Sequence, residues 1–324
     1  MSRPAAAAAA VTVLAVTASG CVTVHGEREI VPAATEAEAA EALKDFTKSY
    51  NAAEAKADPA EDAGRVTGPF GAVKQASWKA GSIQKKDGAA LKTPTPLKLS
   101  DVNYTIPKQA GWPRWFVTDS ASNKFQDGSF RWVMVFTRDG IAEKWEASYL
   151  AFVKPGDMPE FKKDKDGFAE PVRADDPKLA VAPENLSKKY VSYLKGGGKG
   201  FADGSYTTDW LAERAKNEKR LGMATQYVDE PQNTGDFAPV GLRTKNGGAF
   251  AFFSTRHFEK RTASEGLNLR ISDDVRALMK GDAKGAVTLE YAAGQAATVP
   301  LKGANGAQVQ ILNRVQGLTG AKGE

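Results

Sequence analysis

Residues able to do chemistry are few in this chain, and most stand alone. Its 324 residues include two histidines and one cysteine. A zinc site needs several His, Cys or carboxylate ligands converging on one point. His25 and His257 lie far apart, and no HExxH or CxxC spacing occurs. A Ser-His-Asp triad would have to use His257, and no GxSxG elbow accompanies it. Arg256-His257-Phe258-Glu259 is therefore read as the end of an exposed strand. Lys163-Asp164-Lys165-Asp166-Gly167 has the look of a calcium loop. With Gly167 at the sharp turn, however, the first and twelfth ligand positions fall on Lys162 and Arg173, so a charged turn is expected. Gly196-Gly197-Gly198-Lys199-Gly200 lacks the GK[ST] ending of a phosphate loop and follows a helix instead of a strand. No catalytic residue, metal ligand or cofactor site is assigned.

Gly111-Trp112-Pro113-Arg114-Trp115-Phe116 is the most distinctive patch. Two indoles around a proline and an arginine can stack on a ring or a sugar, because aromatic faces pack on apolar faces and Arg adds charge. Trp112, Arg114 and Trp115, with Tyr104 and His257, form the candidate binding surface. Asp101 and Asp119 could join Tyr104 in the first half, and Tyr227 and Asp229 could line a cleft in the second. The competing reading is structural: Trp115 and Phe116 in the core, Trp112 covering an edge.

Cys21, the only thiol, follows Ala18-Ser19-Gly20. Before it come Arg3 and an apolar run from Ala5 to Val16. A basic start, a short apolar run and small residues at the end make an export signal over residues 1–20. The run is shorter than the roughly 20 residues a membrane-spanning helix needs. Small residues directly before Cys fit the bacterial lipobox, with Ala18 where Leu is common. Lipidation at Cys21 is expected, with two long acyl chains holding the chain to the extracytoplasmic face of the cell membrane. An exported free thiol would otherwise be an oxidation liability.

Formal charge is +5, from 44 Lys and Arg against 39 Asp and Glu. The signs are interspersed along the chain, which is a surface balance and not the footprint of a nucleic-acid binder. The length suggests two domains of about 150 residues each.

The elements that must position these residues follow from periodicity. Residues 21–34 read as a lipidated tether. Thr35 with Glu38 forms a capping box. Ala39, Leu43, Phe46 and Tyr50 then share one helix face up to Asp58-Pro59. A weaker helix holds Ala72, Val73, Ala76 and Trp78, followed by a polar connection from Lys79 to Pro96. From Leu97 the period is two, with strands at 97–106, 114–118, 130–137 and 144–153. Residues 161–183 are polar and Pro-punctuated, a linker between domains at 35–160 and 184–324. The second half repeats the plan. Helices start at Asn185 and Thr208. Strands follow at 223–228, 238–243, 249–259, 286–291, 296–300 and 308–315, with a short helix at 274–279. Lys245-Asn246-Gly247-Gly248 is a hairpin turn.

Helices gathered before antiparallel strands mean α+β and exclude a parallel nucleotide-binding sheet. A helix pair followed by a curved meander resembles the NTF2-like cone-shaped fold, and two such domains in tandem are expected. The segment from Gly20 to Glu29, the Trp112 patch, Val135-Phe136-Thr137-Arg138, Gly235-Asp236-Phe237-Ala238-Pro239 and Thr255-Arg256-His257-Phe258-Glu259-Lys260 resemble a family of uncharacterised lipoproteins from Streptomyces-type actinobacteria. The resemblance implies a membrane lipoprotein with a domain of unknown function and supplies no catalytic residues. The expectation is an envelope protein that binds a small molecule or a protein partner. The alternative is a small-molecule hydrolase or isomerase with a cleft in one cone.

Overall fold

The computed structural model describes residues 29–90 and 93–324. Residues 1–28, on which the expected export signal, Cys21, His25 and most of the expected tether fall, and residues 91–92 of the Lys79–Pro96 connection lie outside the described residues.

In chain order the elements are β1 (Val31–Pro32), α1 (Glu36–Lys56), α2 (Gly68–Lys86), β2 (Leu99–Thr105), β3 (Lys108–Gln109), β4 (Arg114–Ser122), β5 (Arg131–Arg138) and β6 (Glu146–Val153). The second half holds α3 (Pro183–Gly196), α4 (Thr208–Glu218), β7 (Lys219–Arg220), β8 (Met223–Gln232), β9 (Val240–Arg243), β10 (Ala249–Ala263), α5 (Asp273–Leu278), β11 (Met279–Lys280), β12 (Ala286–Val299) and β13 (Gln310–Gly323). This is an α+β chain. No helix among the described residues is long and apolar enough to cross a membrane.

Local chemistry explains the first helix. Thr35 Oγ1 accepts from the Glu38 amide at 3.1 Å, and the Glu38 carboxylate accepts from the Thr35 amide at 2.8 Å. Two amide groups that helix geometry leaves orphaned are thereby satisfied.

Strand order in the first sheet is β2-β4-β5-β6, and in the second β11-β13-β12-β10-β8-β7, with β9 on β10. Alternation along each strand then sets the layers. Phe116, Trp132, Met134 and Phe136 face α1 and α2, packing on Phe46, Tyr50, Phe70 and Trp78. Trp115, Val117, Val133, Val135 and Tyr149 face the other way, onto Leu242, Phe250, Phe252 and Ala296 of the second sheet. Beyond that sheet, Ala251, Phe253, Ala297 and Val299 pack on Leu186, Tyr190 and Leu194 of α3. The order is helix, sheet, sheet, helix, with α2 packing also on β12, β13 and α5. Both central sheets are buried on two faces, which is why Trp132–Phe136 and Ala249–Phe253 read as continuous apolar runs.

Several expectations change. The tether ends early: Val31 and Pro32 pair with Gln109 and Lys108, and Ala33 and Ala34 are buried. The second helix does not fade at Trp78 but runs on through Gly81 to Lys86, and Gly88 takes a left-handed φ just beyond its end. Residues 286–291 and 296–299 fall on one strand, Ala286–Val299. Gly294 reads in sequence as a break, yet it sits mid-strand, where an added Cβ would meet Pro69 and Tyr149 at 3.3 Å. Gly317 does the same for α2, since a Cβ there would lie 2.4 Å from Val73. Segment 161–183 is bridged on two sides, through Ala169 to Pro107 just beyond β2, and through Phe161 to Thr244 and Pro171 to Leu242 at β9. In the charged turn the Lys108 ammonium lies 2.7 Å from Asp164 and 2.8 Å from Asp166.

Candidate functional site

The distal halves of β8, β10, β12 and β13, covered by α4, enclose a cluster of polar side chains. Strand register assembles it. His257 pairs with Asp229 on one side and Tyr291 on the other, Glu259 with Tyr227, and Arg261 with Thr225. Residues directly opposite share a face, so three rows of polar groups point the same way. Trp210 and Arg214, one turn apart on α4, descend on them from above.

The Arg214 guanidinium donates to both Asp229 oxygens, at 2.6 and 2.8 Å, with both side chains under a tenth exposed. It lies 4.7 Å from the Tyr227 ring centroid. Arg314 of β13 is buried, 4.6 Å from the Trp210 ring centroid. Its Nη2 lies 3.2 Å from His257 Nδ1. A guanidinium can only donate, so Nδ1 is the acceptor and the single ring proton of neutral His257 belongs on Nε2. Nε2 faces Glu259 Oε1 at 3.6 Å, and the other Glu259 oxygen accepts from Arg261 at 2.7 Å. The His257 ring stacks on Tyr291, centroids 4.7 Å apart and nearly parallel. Beside this cluster lies a recess of about 190 Å³, lined by Trp210, Arg214, Asn217, Tyr227, Glu259 and Arg261 among others.

The electrostatics follow from enclosure. Burial pushes His257 below its ordinary value; Glu259 opposes this, while Arg314 and Arg214 reinforce it. Burial alone would raise Glu259, but the facing His257 ring and the hydrogen bond from Arg261 hold it below the usual carboxylate range. Burial pushes the Tyr291 hydroxyl up to about 12, helped by Glu259. Stability then depends on pH with a fixed sign. The unfolded chain takes up a proton at this histidine near 6.5, before the folded chain does. The unfolded state binds more protons below that value, so stability falls as pH falls from 6.5. The groups facing the ring are Trp210 and Arg214 from α4, Asp229 from β8, Glu259 from β10, Tyr291 from β12 and Arg314 from β13. Thermal midpoints between pH 7 and 5 should drop more steeply for the wild type than for His257→Gln. Parallel slopes would show that His257 is not the group responsible.

His257 is thus not at the end of an exposed strand. It is wholly buried, because α4 and its ion pair cover a face that the local sequence made look wet. Trp115 is no surface residue either. It lies between the two sheets, since alternation from Phe116 turns it away from the helices. Trp112 and Arg114 stack on each other at 4.6 Å near the surface of the first half, and Arg138 lies between Trp112 and Trp145. Tyr104 and Asp119 line a broad cleft of about 650 Å³ together with Glu160, Phe161, Lys163 and Lys245. Asp101 is exposed and pairs with Arg131. Of the sequence candidates, Tyr227, Asp229 and His257 converge on the C-terminal cluster, while Tyr104 and Asp119 share the cleft of the first half. Arg214, Arg261, Arg314, Trp210 and Glu259 were missed, although the same-face spacing of Tyr227 with Asp229 and of His257 with Glu259 and Arg261 was a signal. Among the described residues no group of His, Cys, Asp or Glu is arranged to hold a metal ion.

A family model described as a domain of unknown function, DUF8094, matches residues 30–323. An uncharacterised lipoprotein of Streptomyces coelicolor is 51% identical over 317 residues, 98% of this chain and 94% of the relative. One from Streptomyces avermitilis is 50% identical over 323 residues, covering 99% and 96%. A second Streptomyces coelicolor lipoprotein is 26% identical over 290 residues, 84% of this chain and 78% of the relative. No solved structure matches the chain.

Proposed function

Because the chain belongs to the DUF8094 family, whose half-identical relatives carry the name lipoprotein, we propose that it is a lipid-anchored envelope protein whose C-terminal half binds a small ligand. Cys21 is the lipid carrier in this reading, and the folded body sits on the extracytoplasmic face of the cell membrane. The support is the export signal, the small residues before the single thiol, and the relatives' names. Residues 35–160 and 184–324 are read as two tandem NTF2-like cones, because each runs from a helix pair into an antiparallel meander.

One observation carries the binding role: the recess beside Trp210, Arg214 and Glu259, where aromatic faces and buried charges meet. Ligand sites combine apolar walls with a few placed polar groups. A hydrolase or isomerase reading would give His257 the part of base. Arg314 occupies its Nδ1 and Glu259 faces its Nε2, an arrangement that fixes the ring in place, so binding without turnover is favoured.

Two measurements test the proposal. Labelled palmitate should enter the wild type and not Cys21→Ala, which should move to the soluble fraction. A variant that stayed in the membrane would overturn the anchor. Native mass spectrometry of protein released from the envelope should show a retained small molecule. A bare chain, unshifted by envelope extract, would overturn the binding role.

A further inference from the structure

The enclosed cluster of the C-terminal half has more positive than negative charge, and more donors than acceptors. Arg214, Arg261 and Arg314 supply three guanidinium groups; Asp229 and Glu259 supply two carboxylates. Asp229 is taken by Arg214 and Glu259 by Arg261. Arg314 has no carboxylate in hydrogen-bond reach; the His257 ring and the Tyr190 hydroxyl lie beside it, and Asp229 acts on it from a distance. Five buried N–H groups of the cluster have no acceptor, Arg214 Nε, Trp210 Nε1, His257 Nε2, and Nε and Nη1 of Arg314, against one unpaired acceptor on the recess wall, Asn217 Oδ1. Two of these donors belong to residues that line the recess, whose wall also carries Glu213 and Arg220, paired at 3.9 Å. A buried charge without a counter-charge is costly, and a buried donor without an acceptor adds to that cost. Groups that satisfy both deficits at once are anions with several oxygen acceptors.

Resting on the ligand-binding reading above, we propose that the recess takes a small carboxylic acid as its anion. The carboxylate oxygens accept from Arg214 Nε and Trp210 Nε1, which are shielded from solvent and are exposed by a small shift of α4 as the ligand enters. The apolar body lies along Tyr227, whose ring already faces the Arg214 guanidinium. Arg314 sits behind Trp210 and acts through its charge, and Arg261 holds Glu259 so that its carboxylate does not repel the ligand. Size and charge set the class. About 190 Å³ is below the roughly 300 Å³ at which drug-sized sites begin, so a short-chain or single-ring acid fits. One uncompensated guanidinium matches a monoanion better than a phosphate dianion.

The test titrates the detergent-solubilised full-length chain with benzoate, benzamide and inorganic phosphate, followed by calorimetry. Benzoate should bind at least tenfold more tightly than uncharged benzamide, and phosphate more weakly than benzoate. Arg314→Leu should weaken benzoate at least tenfold while its thermal midpoint holds or rises, since an apolar side chain removes an unpaired buried charge. Trp210→Phe, which deletes one donor and keeps the ring, should weaken benzoate and leave benzamide unchanged. Benzamide binding as tightly as benzoate would overturn the anion and leave the ligand-binding role standing. Tighter phosphate would overturn the carboxylate. Failure of all three probes on a protein that retains a native ligand would overturn the carboxylic-acid class alone.

Discussion

Phe252→Ala should lower the free energy of unfolding by about 3–5 kcal/mol and should do so for both halves of the chain together. Phe252 lies on β10, 1% exposed, facing the first sheet. Its ring is 5.7 Å from that of Tyr149 on β6 and 5.1 Å from Phe250. Tyr149 is itself enclosed, its hydroxyl 3.0 Å from the carbonyl oxygens of Phe237 and Ala238. The layer between the sheets is therefore built from both halves, and a cavity there removes contacts from each. Close-packed interiors relax only partly around such a hole. Urea unfolding would give the loss, and amide exchange would locate it. Protection should fall in β4–β6 as well as in β8–β13. Loss confined to the C-terminal half would show that the two sheets are stabilised separately.

Asp229→Ala should cost a similar amount, about 3–5 kcal/mol, for a different reason. The carboxylate accepts both hydrogen bonds that Arg214 directs into the sheet. Without it a guanidinium stays buried with only aromatic rings beside it. The double substitution Arg214→Leu with Asp229→Leu should recover most of the loss, because it removes both charges and keeps an apolar volume. The two single changes and the double form a cycle whose coupling should exceed the roughly 1 kcal/mol of an exposed ion pair. If Asp229→Ala cost less than that, water would have to reach Arg214, and α4 would not be the tight cover described above.

The same residues show how far sequence reasoning reaches. Thr35 and Glu38 announce the start of α1 because a capping box closes within four residues. The Asn246-Gly247 turn between β9 and β10 is equally local. Patterning fails in β8. Thr225, Tyr227 and Asp229 point inward while Val228 is 52% exposed, the reverse of the usual apolar-inward alternation. Polar groups can face inward there only because α4 delivers Arg214 and β10 and β13 deliver His257, Glu259 and Arg314. Those partners come from distant parts of the chain, so no window along it contains them all.

By itself, then, the sequence determined what short-range chemistry controls: the α+β class, the helix caps, most strands, and the expectation of a lipid carrier at Cys21. A cleavage signal or a capping box is read within a few residues, so no fold is needed to see it. The tertiary structure decided which side of each strand is buried, that the two sheets share one layer, and that His257 is enclosed among arginines instead of lying at a strand end. Burial is set by what arrives from elsewhere. A charged residue such as Arg214 or Glu259 can occupy the interior only when a partner is brought to it, and that pairing exists only once the chain has folded.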